Sequence, residues 1–260
     1  MNKENLITAL INSRIYQIPF KINKDFQIDS IKDAYLIQDI INKKLNKLGY
    51  GKIKGYKIGC TNEIIQKELS IDHPILGVCF ENKIIQNNSN LCLKNYIKPG
   101  VECEIYVVIK EDITSEIFND DINFDKFISH YGVSLEIVEN RFKEFKYTNA
   151  ELIIADGSLG NSIIFGNKVK NNSFVNLNEL NGRIIINNKE IYCNNASSIL
   201  GNPENALKWF FNQMIELKKV IKKGSYVSLG SITPLIWIKE PTKVKVSIDN
   251  IGDCVINFVK

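Results

Sequence analysis

The stretch that decides the fold has the sequence VECEIYVV and occupies residues 101–108. Apolar and β-favouring residues dominate it, so it is predicted to be a β-strand. Side chains alternate between the two faces of a strand, so Glu102 and Glu104 point the same way, while Cys103 packs inward as a small apolar residue. Two carboxylates on one face repel each other unless a cation lies between them. A solvated strand face is the alternative explanation.

A third acid stands in a second predicted strand, GVSLEIV at residues 132–138. Glu136 is the one charged residue there, and a buried charge is costly unless it is paired or coordinated. An outward-facing strand position is the alternative. Together with Glu102 and Glu104, it would form a set of three carboxylates that suits Mg²⁺ or Mn²⁺, with the remaining positions left to water and a chelating substrate.

Composition excludes several classes of protein. The 260 residues are 44% hydrophobic and 24% charged, which is typical of a folded globular protein. The net charge of +4 is spread along the chain, so no nucleic-acid partner is expected. No apolar run is long enough to span a membrane, and the six cysteines have no C-x-x-C spacing. We therefore expect a cytoplasmic protein with reduced thiols. The two histidines, His73 and His130, are interpreted as structural.

The order of the predicted elements indicates an α+β fold. Residues 1–75 are mainly helical, with an amphipathic helix capped by Ser30 and a short helix capped by Thr61. Residues 76–260 are rich in predicted strands and contain one late helix that begins at Asn202-Pro203. Because no linker or repeat divides the chain, we expect a single catalytic domain over residues 1–260, with a helical N-terminal region and a β-rich, metal-binding core.

Two glycine-containing segments are further candidates for chemistry. In GYKIG at residues 55–59, Lys57 stands between glycines that would allow a ligand to approach closely; an exposed turn lysine is the alternative. In GSITP at residues 230–234, the hydroxyls of Ser231 and Thr233 could bind a carboxylate, although such runs are usually plain turns. The sequence lacks the G-x-S-x-G, P-loop and G-x-G-x-x-G motifs, which argues against the enzyme classes that use them.

Taken together, these segments resemble the 2-keto-4-pentenoate hydratase / 4-oxalocrotonate decarboxylase family, within the fumarylacetoacetate hydrolase superfamily. The resemblance covers roughly residues 6 to 260. It implies a fumarylacetoacetate-hydrolase-type fold, built on a rolled mixed β-sheet with a helical N-terminal region, and usually a homo-oligomer. The matching segments, in the family's order, are GYKIG at 55–59, VECE at 101–104, LEIV at 135–138, LGNP at 200–203 and GSITP at 230–234.

The resemblance also implies the chemistry. A divalent cation, Mg²⁺ or Mn²⁺, would be held by Glu102, Glu104 and Glu136, and it would chelate the carboxylate and 2-oxo oxygens of a small 2-oxo or 2-hydroxy-enoate substrate. Ser231 and Thr233 would help to hold that substrate.

The chain departs from the family at two places. Hydratases tend to carry an Asp where this sequence has Ile75, so nearby Asp72 is the candidate to replace that proton-transfer acid beside Lys57, the other candidate catalytic residue. In the segment that corresponds to the family's D-N-A-S-S, two hydroxyls are lost. Ser158 remains as a candidate substrate contact, with Leu159 beside it.

Three functions follow from the resemblance. The first is a lyase that hydrates a 2-hydroxy-dienoate or 2-oxo-enoate to a 4-hydroxy-2-oxo acid, which Asn202-Pro203 and Trp209 favour. The second is decarboxylation of 2-oxo-3-hexenedioate on the same scaffold, which Ile75 favours. The third is a catalytically silent 2-oxo-acid-binding homologue or partner subunit, since hydratases and decarboxylases of this family can form a complex with one another. The sequence leaves substrate length open.

Overall fold

Two β-sheets form the centre of the molecule. The computed structural model describes residues 3–23, 26–114, 124–171 and 176–260. The strands within these ranges are β1 Ile53–Gly59, β2 Ile75–Phe80, β3 Ile84–Ile85, β4 Asn90–Cys92, β5 Pro99–Ile109, β6 Ile128–Glu139, β7 Gly160–Lys170, β8 Asn181–Ile186, β9 Lys189–Asn195, β10 Tyr226–Ser231, β11 Ile236–Trp237, β12 Thr242–Ile248 and β13 Gly252–Val259.

The α-helices flank these sheets, and none in the described ranges is both long and apolar enough to cross a membrane. They are α1 Lys3–Tyr16, α2 Ile31–Leu45, α3 Glu63–Glu68, α4 Ala150–Ala155 and α5 Pro203–Glu216.

The larger sheet is mixed and has the order β2-β1-β10-β5-β6-β7-β3, with β11 added to β5. Strand β1 is parallel to β10 and antiparallel to β2, while β5 is antiparallel to both β10 and β6. The central β5 and β6 are the strands predicted to hold the acids. Both are longer than predicted, because their ends continue to pair beyond the apolar segments.

The smaller sheet has the order β4-β13-β12-β8-β9. It packs on the face of β5, β6 and β7 that does not carry the glutamates. Cys103 is fully buried between the sheets, as the alternation of side chains along β5 predicted. Its thiol is directed at the Ser247 carbonyl oxygen. Gly166 allows close approach of the sheets, since a Cβ there would lie 2.3 Å from the Asp253 carbonyl oxygen. The glutamate face of β5 and β6 therefore points away from this inter-sheet core.

Local signals account for most helix starts. Ser30 Oγ accepts a hydrogen bond from Asp33 N at 3.1 Å and begins α2, and Asn202 caps α5, whose first residue is Pro203. The prediction that Thr61 caps the short helix is wrong. Asn62 caps α3 instead, because its side chain accepts from Ile65 N at 3.0 Å.

The β-rich core does not begin at residue 76 as predicted, because it also includes β1. β1 lies within the mainly helical N-terminal region, yet it pairs with β2 and β10 inside the larger sheet. The glycines around Lys57, for which close approach of a ligand or an exposed turn were the two interpretations, lie in a strand, and Gly55 permits tight strand packing. A Cβ on Gly55 would lie 2.4 Å from the Tyr226 carbonyl oxygen. Lys57 is therefore fixed in a central strand rather than exposed in a turn.

Candidate metal centre and cavity

Three carboxylates meet on one face of β5 and β6. Glu102 lies directly opposite Glu136 in the antiparallel register, and Glu104 follows two residues later on the same face. Each contributes one oxygen to a group whose members all lie within 4.8 Å of one another. Glu104 and Glu136 are 1% and 2% exposed, and Glu102 is half-buried. The structure therefore brings the three predicted metal ligands together.

The cluster has one cationic neighbour among its described contacts. Lys57 Nζ lies 3.2 Å from Glu136 Oε1, and both side chains are buried. Ser228 donates a hydrogen bond to Glu104 Oε2. Glu136 Oε2 is buried and has no hydrogen-bond partner within the described part of the chain. Three acids against one lysine leave excess negative charge, and the orphaned oxygen is the kind of buried group that a cation would satisfy.

Burial and mutual repulsion make these acids hard to ionise. Burial, and then the charge of Glu136, raise the pKa of Glu102 to about 7. The same two effects raise the pKa of Glu104 well above its ordinary value, and burial raises the pKa of Glu136. The pKa of Lys57 also rises, which for a lysine favours the charged form. Burial lowers its pKa, but attraction to the glutamates outweighs that effect, so the pKa rises. The lysine therefore stays protonated.

Glycines on neighbouring segments make room for the lysine. A Cβ on Gly77 of β2 would lie 3.1 Å from Lys57 Cγ and 2.9 Å from the Gly157 carbonyl oxygen. A Cβ on Gly59 would lie 3.3 Å from Lys57 Nζ. These positions hold the lysine stem in a narrow channel that ends at Glu136.

A cavity of about 180 Å³ lies beside the cluster. Glu102, Glu104 and Lys57 contribute to its lining, as do Ser158 and Ser231. Most of the remaining wall is apolar. It includes Ile75, Val138, Phe145, Leu159, Leu235 and Trp237. The cavity is thus charged at the glutamates and hydrocarbon-like over much of the rest.

The predicted substrate-binding hydroxyls are placed differently from one another. Ser158 Oγ donates to the Leu76 carbonyl oxygen at 2.9 Å, and Ser231 Oγ donates to the Thr233 carbonyl oxygen at 2.7 Å, so both cavity hydroxyls already have acceptors. Thr233 is buried outside the cavity lining, and its Oγ1 has no hydrogen-bond partner among the described residues.

Asp72 lies outside the cavity. It is exposed and lines a separate surface groove with His73. Ile75 is 2% exposed and lies in the cavity wall itself. The acid that does reach the cavity from this region is Glu68, at the end of α3. Sequence reasoning missed Glu68 because nothing in the spacing showed which face of α3 turns to the glutamates.

A buried ion-pair network supports the wall of the cavity, and the sequence did not indicate it. Arg141 binds Asp156 through Nε at 3.0 Å and Nη2 at 2.6 Å, and it reaches Glu139 at 3.2 Å. Arg14 adds hydrogen bonds to the Asp156 and Gly160 carbonyl oxygens. The charges lie far apart in sequence, so no local signal pairs them.

This network anchors an unusual turn. Gly157, Ser158 and Leu159 have consecutive φ angles of +78°, +57° and +59°, a conformation that disfavours residues with a Cβ. The turn places Ser158 and Leu159 at the cavity.

No model of a protein family matches the chain. Among curated relatives, a 2-keto-4-pentenoate hydratase of Burkholderia vietnamiensis is 27% identical over 230 residues, covering 87% of this chain and 86% of the relative. A 4-oxalocrotonate decarboxylase of Pseudomonas putida is 23% identical over 241 residues, covering 92% and 89%. Among solved structures, 4-oxalocrotonate decarboxylase of Pseudomonas putida, complexed with magnesium and adipate, superimposes with a TM-score of 0.89 at 20% identity over 100% of this chain and 99% of that one.

The chain therefore has a fumarylacetoacetate-hydrolase-type fold, with a helical N-terminal region on a curled mixed sheet, as predicted. The resemblance to the 2-keto-4-pentenoate hydratase / 4-oxalocrotonate decarboxylase family is confirmed, and the relatives that match are named as hydratases and decarboxylases, which are lyases.

Proposed function

We propose that this chain is a metal-dependent lyase that hydrates a 2-hydroxy-dienoate or 2-oxo-enoate to a 4-hydroxy-2-oxo acid. The observation that carries the proposal is the cluster of Glu102, Glu104 and Glu136, whose oxygens lie within 4.8 Å of one another and of which Glu102 and Glu104 line the cavity. Curated relatives that share most of their length with this chain are named 2-keto-4-pentenoate hydratase, which supports the choice of reaction.

The three glutamates fit Mg²⁺ or Mn²⁺. Hard divalent cations prefer carboxylate oxygens, and this set combines burial, raised pKa values and an oxygen of Glu136 that has no hydrogen-bond partner among the described residues. When bound, the cation supplies positive charge that stabilises the negative charge developing on the substrate's 2-oxo oxygen.

The chain's own residues orient the reacting groups and handle protons. Lys57 holds Glu136 in position through a contact of 3.2 Å and remains protonated, so its ammonium group is the proton-bearing group beside the cluster. Ser228 fixes one oxygen of Glu104, which leaves the other free to face the cation. Ser231 offers hydroxyl lone pairs at the cavity, and Leu159 and Trp237 limit the access of water.

Decarboxylation of 2-oxo-3-hexenedioate is the second candidate. Relatives named 4-oxalocrotonate decarboxylase match the chain over a similar span, and Ile75 leaves the cavity wall without the acid expected of hydratases. The third candidate, a silent homologue or partner subunit, is disfavoured because such a protein gains nothing from three mutually repelling acids, two of them buried. A homo-oligomer, a complex with another enzyme of the same pathway and a cytoplasmic location remain predictions.

One assay separates the three candidates. The protein with Mg²⁺ is incubated with 2-hydroxypenta-2,4-dienoate and, separately, with 2-oxohex-3-enedioate. Loss of dienoate absorbance without CO₂ is the expected result. CO₂ release from the second compound would instead indicate the decarboxylase, and silence with both would contradict a lyase. Glu104→Gln, which removes one of the three proposed metal ligands, should abolish the reaction, and Glu240→Gln, an exposed substitution outside the cavity, is its control.

A further inference from the structure

The cavity wall distinguishes between two kinds of substrate tail. Of the four charged side chains in its described lining, three are acids, namely Glu68, Glu102 and Glu104. The one cation is Lys57, whose ammonium group is already committed to Glu136 at 3.2 Å. Away from the glutamate cluster, therefore, the described lining offers no positive charge to a second carboxylate.

The wall beyond the cluster is hydrocarbon. Ile75 and Ile153 are almost fully buried, and Phe145 and Leu159 add apolar surface around the same space. Leu159 stands at the cavity because of its left-handed backbone, at φ +59°. A carboxylate moved into such surroundings loses hydration without gaining a partner, and that loss is costly. A hydrocarbon tail gains free energy from the same move.

Glu68 adds to this selection against a second carboxylate. Glu68 lies at the end of α3, is exposed to solvent and also contributes to the cavity lining. A like charge on the substrate's far end would be repelled there. The one lysine in the described lining is Lys57; outside the lining, Lys67 Nζ lies 3.5 Å from Glu63, and Lys98 stacks over the ring of Trp237.

We infer that the site selects 2-oxo monocarboxylates with an uncharged, apolar tail that extends beyond the metal-binding end, and that it rejects 2-oxo dicarboxylates. The inference rests on the proposed function, because it assumes that the 2-oxo-acid end binds at the three glutamates. It deepens that function by naming the substrate class and by making Glu68 and the apolar wall determinants of specificity. The preferred substrates would carry alkyl substitution at the end of the diene.

The test measures binding, so that it does not depend on turnover. Isothermal titration in Mg²⁺ compares 2-oxobutanoate, 2-oxopentanoate and 2-oxohexanoate with 2-oxoadipate, which has the same six-carbon chain as 2-oxohexanoate but a second carboxylate. Affinity should rise about threefold per added methylene. 2-Oxoadipate should bind at least about thirtyfold more weakly than 2-oxohexanoate.

Exposed Glu68 provides a charge-reversal variant. Glu68→Lys should raise the ratio of 2-oxoadipate affinity to 2-oxohexanoate affinity several-fold, and Glu68→Gln should raise it less, because it removes repulsion without adding attraction. Circular dichroism of both variants checks that they remain folded. An unchanged ratio in Glu68→Lys would contradict the assignment of Glu68.

Two negative results have different meanings. If 2-oxoadipate binds as tightly as 2-oxohexanoate, or if affinity does not rise along the series, the inference is wrong while the metal-centred function stands. If no 2-oxo acid binds in the presence of Mg²⁺, the proposed function fails and the inference fails with it.

Discussion

Glu102 and Glu136 face each other directly across the antiparallel pair β5 and β6. Like charges at such positions destabilise a sheet, and Glu104 adds a third charge on the same face. The three carboxylates therefore repel one another in the centre of the fold, and among their described contacts one lysine, Lys57, partly neutralises them. We interpret this repulsion as the cost of a preformed cation site.

The first prediction concerns pH and stability without metal. The pKa of Glu102 is raised to about 7 in the folded state by burial and by Glu136. Glu102 therefore keeps its proton in the folded protein at pH values where the unfolded chain, with an ordinary glutamate pKa of about 4.3, has lost it. The free energy of unfolding consequently falls as the pH rises toward and through 7. Urea unfolding in EDTA should show lower stability at pH 8 than at pH 5, and Glu102→Gln should flatten this dependence. Identical pH profiles for the two proteins would contradict the electrostatic account.

The second prediction concerns the ion-pair network behind the cavity. Asp156→Asn removes the closer of the two carboxylates that pair with buried Arg141, leaving Glu139 at 3.2 Å, and should cost about 3 to 5 kcal/mol of unfolding free energy. The matched control is Asp249→Asn, which weakens the half-exposed pair with Arg183 and should cost less than about 1 kcal/mol. Chemical denaturation of both variants gives the comparison. Equal losses would show that the buried network has no special role.

The third prediction concerns thiol reactivity. Cys60 lines the cavity, and burial raises its pKa to about 11, so very little thiolate exists at pH 8. Alkylation by iodoacetamide, followed by peptide mass spectrometry, should modify exposed Cys193 at least about a hundredfold faster than Cys60. Cys193→Ser identifies the fast phase. Comparable rates at the two cysteines would mean that the cavity wall is more open than described.

The parts of the fold that follow local rules could be predicted from the sequence. Alternation along β5 placed Cys103 inward and the two glutamates together, and side-chain capping located the start of α2 at Ser30. The burial cost of a lone acid in an apolar strand left two alternatives for Glu136, an outward-facing position or the cluster, and the family resemblance favoured the cluster that the register shows.

The parts that depend on tertiary contacts could not be predicted. The α4 sequence AELIIA is almost wholly buried and so lacks an amphipathic period. The glycines beside Lys57 suggested either the approach of a ligand or an exposed turn, whereas Gly55 serves strand packing and Gly59 leaves room for the lysine. Asp72 and Glu68 lie four residues apart, and only the course of α3 determines which of them lines the cavity.

The central claim, a divalent cation held by three glutamates, is tested most directly by isothermal titration of the metal-free protein with Mg²⁺ or Mn²⁺. We expect binding at one site, which Glu104→Gln reduces at least about a hundredfold and the exposed control Glu240→Gln leaves intact. Circular dichroism confirms that each variant is folded. Equal metal affinity in Glu104→Gln and the unmodified protein would contradict the site and the function built on it.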